Sequence, residues 1–193
     1  MKKLLISVLL VSGFSGAAQI DIGVKGGLNI ANIRQAGNIG GVGSGFYNPL
    51  FTHHIGVFGK LPFSEKAFLQ PEINYSRKGS KPQDQIGNRF SLNLNYFTIP
   101  VLLGFQFDDL SVHFGPQVEF LAEFEALDQV EVSLAGGLQY YLSDQTQVGF
   151  RFIHGLSPIG SAFFTDSTGA PSGGVKLYNY LVQLSIYRTL WSK

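Results

Sequence analysis

The sequence predicts an all-β protein, an eight-stranded antiparallel up-and-down transmembrane β-barrel. Three observations predict it. Apolar and polar residues alternate with period 2 along most of the chain, and in residues 130–142 the alternation lasts thirteen residues. A strand that crosses a bilayer at a tilt needs roughly 9–11 residues, so this stretch has the length to span. The connections between such stretches alternate long and short, as in barrels with short periplasmic turns and long outer loops. Charged residues make up only 14% of the chain, against roughly 25% in a soluble domain.

The strands follow in order. The first covers residues 20–31, with Ile20, Ile22, Val24, Leu28 and Ile30 on one face and Asp21, Lys25 and Asn29 on the other. Residues 32–51 form a long loop rich in Gly and Asn. The second strand, 52–61, sets Ile55, Val57 and Leu61 against His54 and Lys60, and a short turn follows. The third, 67–79, alternates Leu69, Pro71, Ile73 and Tyr75 with Gln70, Glu72, Asn74 and Ser76. A polar loop at 80–88 leads to a fourth strand from Arg89, where Phe90, Leu92, Leu94 and Tyr96 oppose Ser91, Asn93 and Asn95. Its alternation is lost in the apolar run 97–105, and Pro100 there predicts a bulge or register change, because proline cannot donate a ladder hydrogen bond.

The fifth strand is 111–122, the sixth 130–142 and the seventh 147–156. Residues 157–175 are a second long loop, and the eighth strand, 176–190, sets Tyr178, Tyr180, Val182, Leu184 and Ile186 against Asn179, Gln183, Ser185 and Thr189. Aromatics gather toward the strand ends. Tyr75, Phe90, Tyr178 and Tyr180 lie near the loops, and Phe63, Phe68, Phe107, Tyr140, Tyr187 and Trp191 near the turns. Two such belts mark the two interfaces of a membrane. A soluble barrel of the same strand number would bury its apolar face. Long strands, low charge and charges confined to one face favour the membrane.

Residues 1–18 read as a cleaved signal peptide: Lys2 and Lys3, an apolar segment, then Gly16-Ala17-Ala18 before Gln19. The barrel domain is then 19–193, exported to the outer membrane. No later apolar run approaches the 18 residues of a helical span. Cysteine is absent, which excludes disulfides and thiolate metal sites. A net charge of +1 gives no reason to expect a nucleic-acid partner.

Several motifs in order resemble a known family. They are Gly23-Val24-Lys25-Gly26-Gly27-Leu28-Asn29, Leu69-Gln70-Pro71-Glu72-Ile73-Asn74-Tyr75 and Tyr96-Phe97-Thr98-Ile99-Pro100-Val101-Leu102-Leu103. Gly115-Pro116-Gln117, Ala135-Gly136-Gly137-Leu138 and Arg151-Phe152-Ile153-His154-Gly155-Leu156 complete the set. Together they resemble the Bacteroidetes-type, PorT-like outer membrane β-barrel family across nearly all of 19–193. The resemblance implies an outer-membrane barrel and no single activity, since most members have none assigned and a few are linked to protein secretion and gliding machinery.

An eight-stranded barrel is narrow and filled by side chains. Lys25, Lys60, Glu72, Glu119, Glu131 and Arg151 share the polar parity and are expected to form an interior network in which three bases meet three acids. The functional alternative is a narrow channel for small solutes lined by the same residues. A third reading, a lipid A-modifying hydrolase, rests on His154 near Ser157, whose spacing does not require a triad. His53 and His54 are adjacent and point to opposite faces of a strand, a poor chelate. Gly40-Gly41-Val42-Gly43-Ser44-Gly45 lacks the lysine of a phosphate-binding loop. No catalytic residue, metal or cofactor is expected. The partners expected are outer-membrane lipid and an envelope protein reached through 32–51 and 157–175, whose aromatics are Phe46, Tyr47, Phe51, Phe163 and Phe164. The predicted role is structural, adhesive or in envelope assembly.

Overall fold

The computed structural model describes residues 20–38, 45, 46, 48–81, 91–122, 130–165 and 171–193, apart from the side chains of 35, 37, 38, 45, 46, 161–165 and 171–173. The segments 1–19, 39–44, 82–90, 123–129 and 166–170, with Tyr47, lie outside the described residues, so the signal-peptide reading and the readings of Tyr47, Arg89 and Phe90 fall there too.

Ten strands are formed: β1 (Asp21–Asn38), β2 (Gly45–Phe46), β3 (Leu50–Pro62), β4 (Ala67–Ser80), β5 (Leu92–Phe107), β6 (Leu110–Leu121), β7 (Val130–Ser143), β8 (Thr146–Gly155), β9 (Gly160–Thr165) and β10 (Pro171–Ser192). Eight of them, β1, β3–β8 and β10, pair antiparallel in sequence order, and β1 pairs β10 from Asp21↔Ser192 to Asn38↔Gly174 to close the barrel. Closure leaves no edge in the hydrocarbon, where an unpaired backbone group has no water to bond.

The two faces are sorted as a bilayer requires. Leu28 is 62% exposed, Ile55 62% and Ile186 61%, whereas Lys25, Glu72 and Arg151 are each 2% exposed or less. Apolar side chains therefore point outward and charges inward, the reverse of a soluble barrel.

The structure differs from the sequence reading at four places. β1 runs on to Asn38 through residues read as loop, pairing with Gly174–Tyr180 of β10; the alternation there is inverted, with Ala31 and Ile33 inward and buried and Asn32 and Arg34 outward. The second long loop holds β9 and the start of β10, and β2 and β9 flank β1 and β10. A four-stranded extension, in the order β2-β1-β10-β9, thus rises above the rim.

β5 passes through Pro100 without a bulge. Its register with β6 is constant from Tyr96↔Leu121 to Phe107↔Leu110, and the ladder with β4 omits Glu72 and Ile73 opposite the proline without slipping. Alternation was masked because Pro100, Leu102 and Gly104 fill inward positions with small or apolar residues. Tyr96 consequently faces inward, opposite the buried Ser76, and is 1% exposed. Phe68 and Tyr187, read as belt residues, are also interior, at 2% and 1% exposed.

Interior space is made by glycine. Gly104 pairs with Phe68, and a Cβ on Gly104 would stand 2.1 Å from the Phe68 ring. Gly137 pairs with Arg151, and a Cβ there would meet the Phe150 carbonyl oxygen at 2.3 Å. Large side chains lie over these positions and fill the lumen.

Candidate functional site

The centre of the lumen is Glu72 on β4. Arg151, on β8, donates Nη1 to Oε2 at 2.8 Å and Nη2 to Oε1 at 2.7 Å. Lys25 Nζ donates to Oε2 at 3.0 Å, Gln70 Nε2 to Oε1 at 2.7 Å and Asn74 Nδ2 to Oε2 at 3.1 Å. The carboxylate thus accepts five hydrogen bonds, three from cations, the condition under which a buried charge is tolerated. Tyr187 accepts from Arg151 Nη2 at 3.1 Å, and its ring stands 5.0 Å from Lys25 Nζ. Arg151 Nε donates to His113 Nε2 at 3.2 Å. That nitrogen must therefore be the acceptor, which places the imidazole proton on Nδ1.

Toward the loop end, Lys78 donates to Glu119, which also accepts from Ser133 and, at 2.6 Å, from Gln117. Glu131 accepts from the Tyr96 hydroxyl at 2.5 Å and from Asn179 Nδ2 at 2.9 Å, with no basic partner among the described residues. His54 joins Asn29 Oδ1 at 2.7 Å to Ser185 Oγ at 2.8 Å.

Toward the turn end, Lys60 Nζ donates to Gln106 Oε1 at 3.0 Å and to the Tyr141 hydroxyl, and lies 4.1 Å from the Phe68 ring centre. Neutral acceptors and an aromatic face hold this cation.

The network is thus built differently from three bases matched to three acids. Glu72 takes two of the cations, Lys60 and Glu131 lie outside the ion pairs, and Lys78 supplies the base that sequence reasoning missed. Its signal was legible, since Lys78 continues the parity of Glu72, Asn74 and Ser76 to the end of β4.

A second group is polar and unsatisfied. Gln70 Oε1, Ser111 Oγ, His113 Nδ1 and both amide atoms of Gln139 are buried without a partner. Ser111 and Gln139 pair across β6 and β7, His113 is two residues along from Ser111, and Gln70 lies below Glu72. All five atoms lie between the Glu72 centre and the turn end, where ordered water would satisfy them.

The remaining candidates are dispersed. His154 packs edge-on against Tyr180, ring centres 4.6 Å apart, while the Ser157 hydroxyl accepts from Val132 N at 2.8 Å, so these two are not joined. His53 faces outward and His54 inward, and no group of three metal-ligating side chains occurs among the described residues. Phe51 is on β3, 70% exposed on the outer face. Phe46 lies in β2, and Phe163 and Phe164 lie in β9.

Residues 15–160 match the outer membrane protein beta-barrel domain family. A comparison with curated proteins gives no match. Among solved structures, Neisserial surface protein A is 10% identical, with 88% of this chain and 97% of that chain covered and a TM-score of 0.49. The outer membrane protein OprG from Pseudomonas aeruginosa is 13% identical, with 86% and 95% covered and a TM-score of 0.47.

Proposed function

The chain belongs to the outer membrane protein beta-barrel domain family, and from that premise we propose that it is a closed membrane anchor carrying a surface-exposed β-sheet, with a structural, adhesive or envelope-assembly role and no enzymatic activity. The observation that carries this reading is the Glu72–Arg151 pair spanning a lumen packed with side chains, while β2, β1, β10 and β9 continue above the rim. The closed interior favours a molecule that works through its outer surface and loops. The ordered motifs support a PorT-like, secretion-associated member of the family.

The test is complementation of a deletion strain with a chain whose β9–β10 hairpin is cut back to a tight turn. The reading predicts a barrel that still reaches the outer membrane and fails, as the deletion does, in adhesion or in release of exported proteins. Full complementation by the shortened chain would overturn it.

A second reading, a narrow conduit, is favoured by one observation: the unsatisfied polar atoms of Gln70, Ser111, His113 and Gln139. They lie toward the turn end, where a recess of about 550 Å³ is lined in part by Gln106 and Tyr141, the partners of Lys60. Such a path ends at Glu72, so conduction requires that pair to open.

A further inference from the structure

We propose that the outer face of the β8–β10–β1 seam, at the loop end, binds the phosphate of an anionic glycolipid of the outer leaflet through Arg34 and Lys176, with Tyr180 and His154 beneath it.

The outward residues of β10 are graded. Ile186 and Leu184 are exposed aliphatics, Val182 and the aromatics Tyr180 and Tyr178 follow, and Lys176 comes last. On β1 the outward side passes from Leu28 through Ile30 and Asn32 to Arg34. The register sets Asn32 opposite Tyr180, Arg34 opposite Tyr178 and Lys176 opposite Ala36. Arg34 and Lys176 are therefore diagonal neighbours on one face. They stand just above an aromatic step that itself caps the apolar band. Aromatics at this step mark the interface, and glycolipid phosphates lie immediately outside it.

The geometry leaves the arginine available. Arg34 Nη1 donates to the Tyr180 hydroxyl at 3.1 Å, and His154 packs edge-on against the same ring. A neutral phenol thus orients the guanidinium, with no carboxylate paired to it among the described residues. Its remaining N–H groups form the planar fork that suits a phosphate.

The distribution of charge points the same way. Every described acid is either inside the lumen, as Glu72, Glu119 and Glu131 are, or at the turn end, as Asp21, Glu65, Asp108, Asp109 and Asp144 are. The described outer face at the loop end is basic. An anion is attracted there, and a lipid-borne one also gains the apolar and aromatic wall below, which a free phosphate in water does not use.

The test uses the purified chain in detergent and reads the temperature at which the compact gel band is lost and the bound lipid seen by native mass spectrometry. Probes are bisphosphorylated lipid A, its dephosphorylated form and inorganic phosphate. The variant is Arg34→Gln with Lys176→Gln; Arg188→Gln, an exposed arginine at the turn end, is the control. Bisphosphorylated lipid A is expected to bind and stabilise the parent chain and the control, and to bind the double variant roughly tenfold more weakly or less, as loss of charge-assisted hydrogen bonds implies. The proposal is overturned if the dephosphorylated lipid does as well, if the double variant keeps full binding, or if inorganic phosphate alone gives the effect.

Discussion

Glu72 and Arg151 stand on strands four places apart in the eight-strand ring, and their side chains meet across the whole lumen in a two-point pair at 2.8 and 2.7 Å. Lys25 adds a second cation to the same carboxylate. Glu72→Gln leaves both cations buried without an anion, which costs about 3–5 kcal/mol. The compact, unboiled band should then be lost at a distinctly lower temperature than in the parent chain. An unchanged transition would show that the pair does not hold the barrel together.

Lys60 gives the contrasting case. It is 7% exposed, yet its hydrogen bonds go to the neutral Gln106 and Tyr141. Lys60→Met keeps the packing on Phe68 and strands no opposite charge, so its cost should stay within about 1.5 kcal/mol, the range of a volume-conserving change. A loss as large as that of Glu72→Gln would mean that Lys60 has a carboxylate partner.

Tyr96 and Asn179 are the donors to Glu131. Tyr96→Phe keeps the ring and removes the hydroxyl, leaving one carboxylate oxygen short of its donor. The expected loss is about 1–3 kcal/mol, read by denaturant titration of tyrosine and tryptophan fluorescence. Tyr75→Phe on the outer face, whose hydroxyl meets Asn95 at 3.0 Å, should cost less, and equal losses would argue against an interior role for Tyr96.

Gly104 carries the Phe68 ring, which in turn covers Lys60. Gly104→Val forces that ring away and should destabilise by about 1–3 kcal/mol. Replacing Phe68 by leucine in the same chain should recover part of the loss. Two independent, additive losses would show that the residues are not in contact.

The barrel was legible because its rule is short: one face meets lipid and the other does not, and Leu28, Ile55 and Ile186 follow that rule with period 2. The rule failed where inward positions are themselves apolar. Pro100, Leu102 and Gly104 erase the alternation in β5, Tyr96 reads as a member of the apolar face, and Phe68 and Tyr187 look like interfacial aromatics, until the register turns all three inward. The extensions of β1 and β10 were hidden for another reason. Beyond the apolar band the alternation of β1 inverts, with Ala31 and Ile33 turned inward and Asn32 and Arg34 outward, so no apolar outer face marks the strand. Within the lumen, parity places Glu72 and Arg151 on the inner face, but which cation meets which acid depends on strand stagger. That is why the two cations on Glu72 could not be read from the sequence, whereas Lys78 shares the inward parity of Glu72, Asn74 and Ser76 and was legible by the same rule.

Conductance across a planar bilayer tests the central claim, that side chains close this lumen, most directly. The parent chain, inserted and confirmed as folded by its unboiled mobility, should give no discrete current steps, while Arg151→Gly, which removes the longest side chain crossing the lumen, should give small ones. A steady, voltage-proportional current from the parent chain would contradict the claim and make the interior a channel.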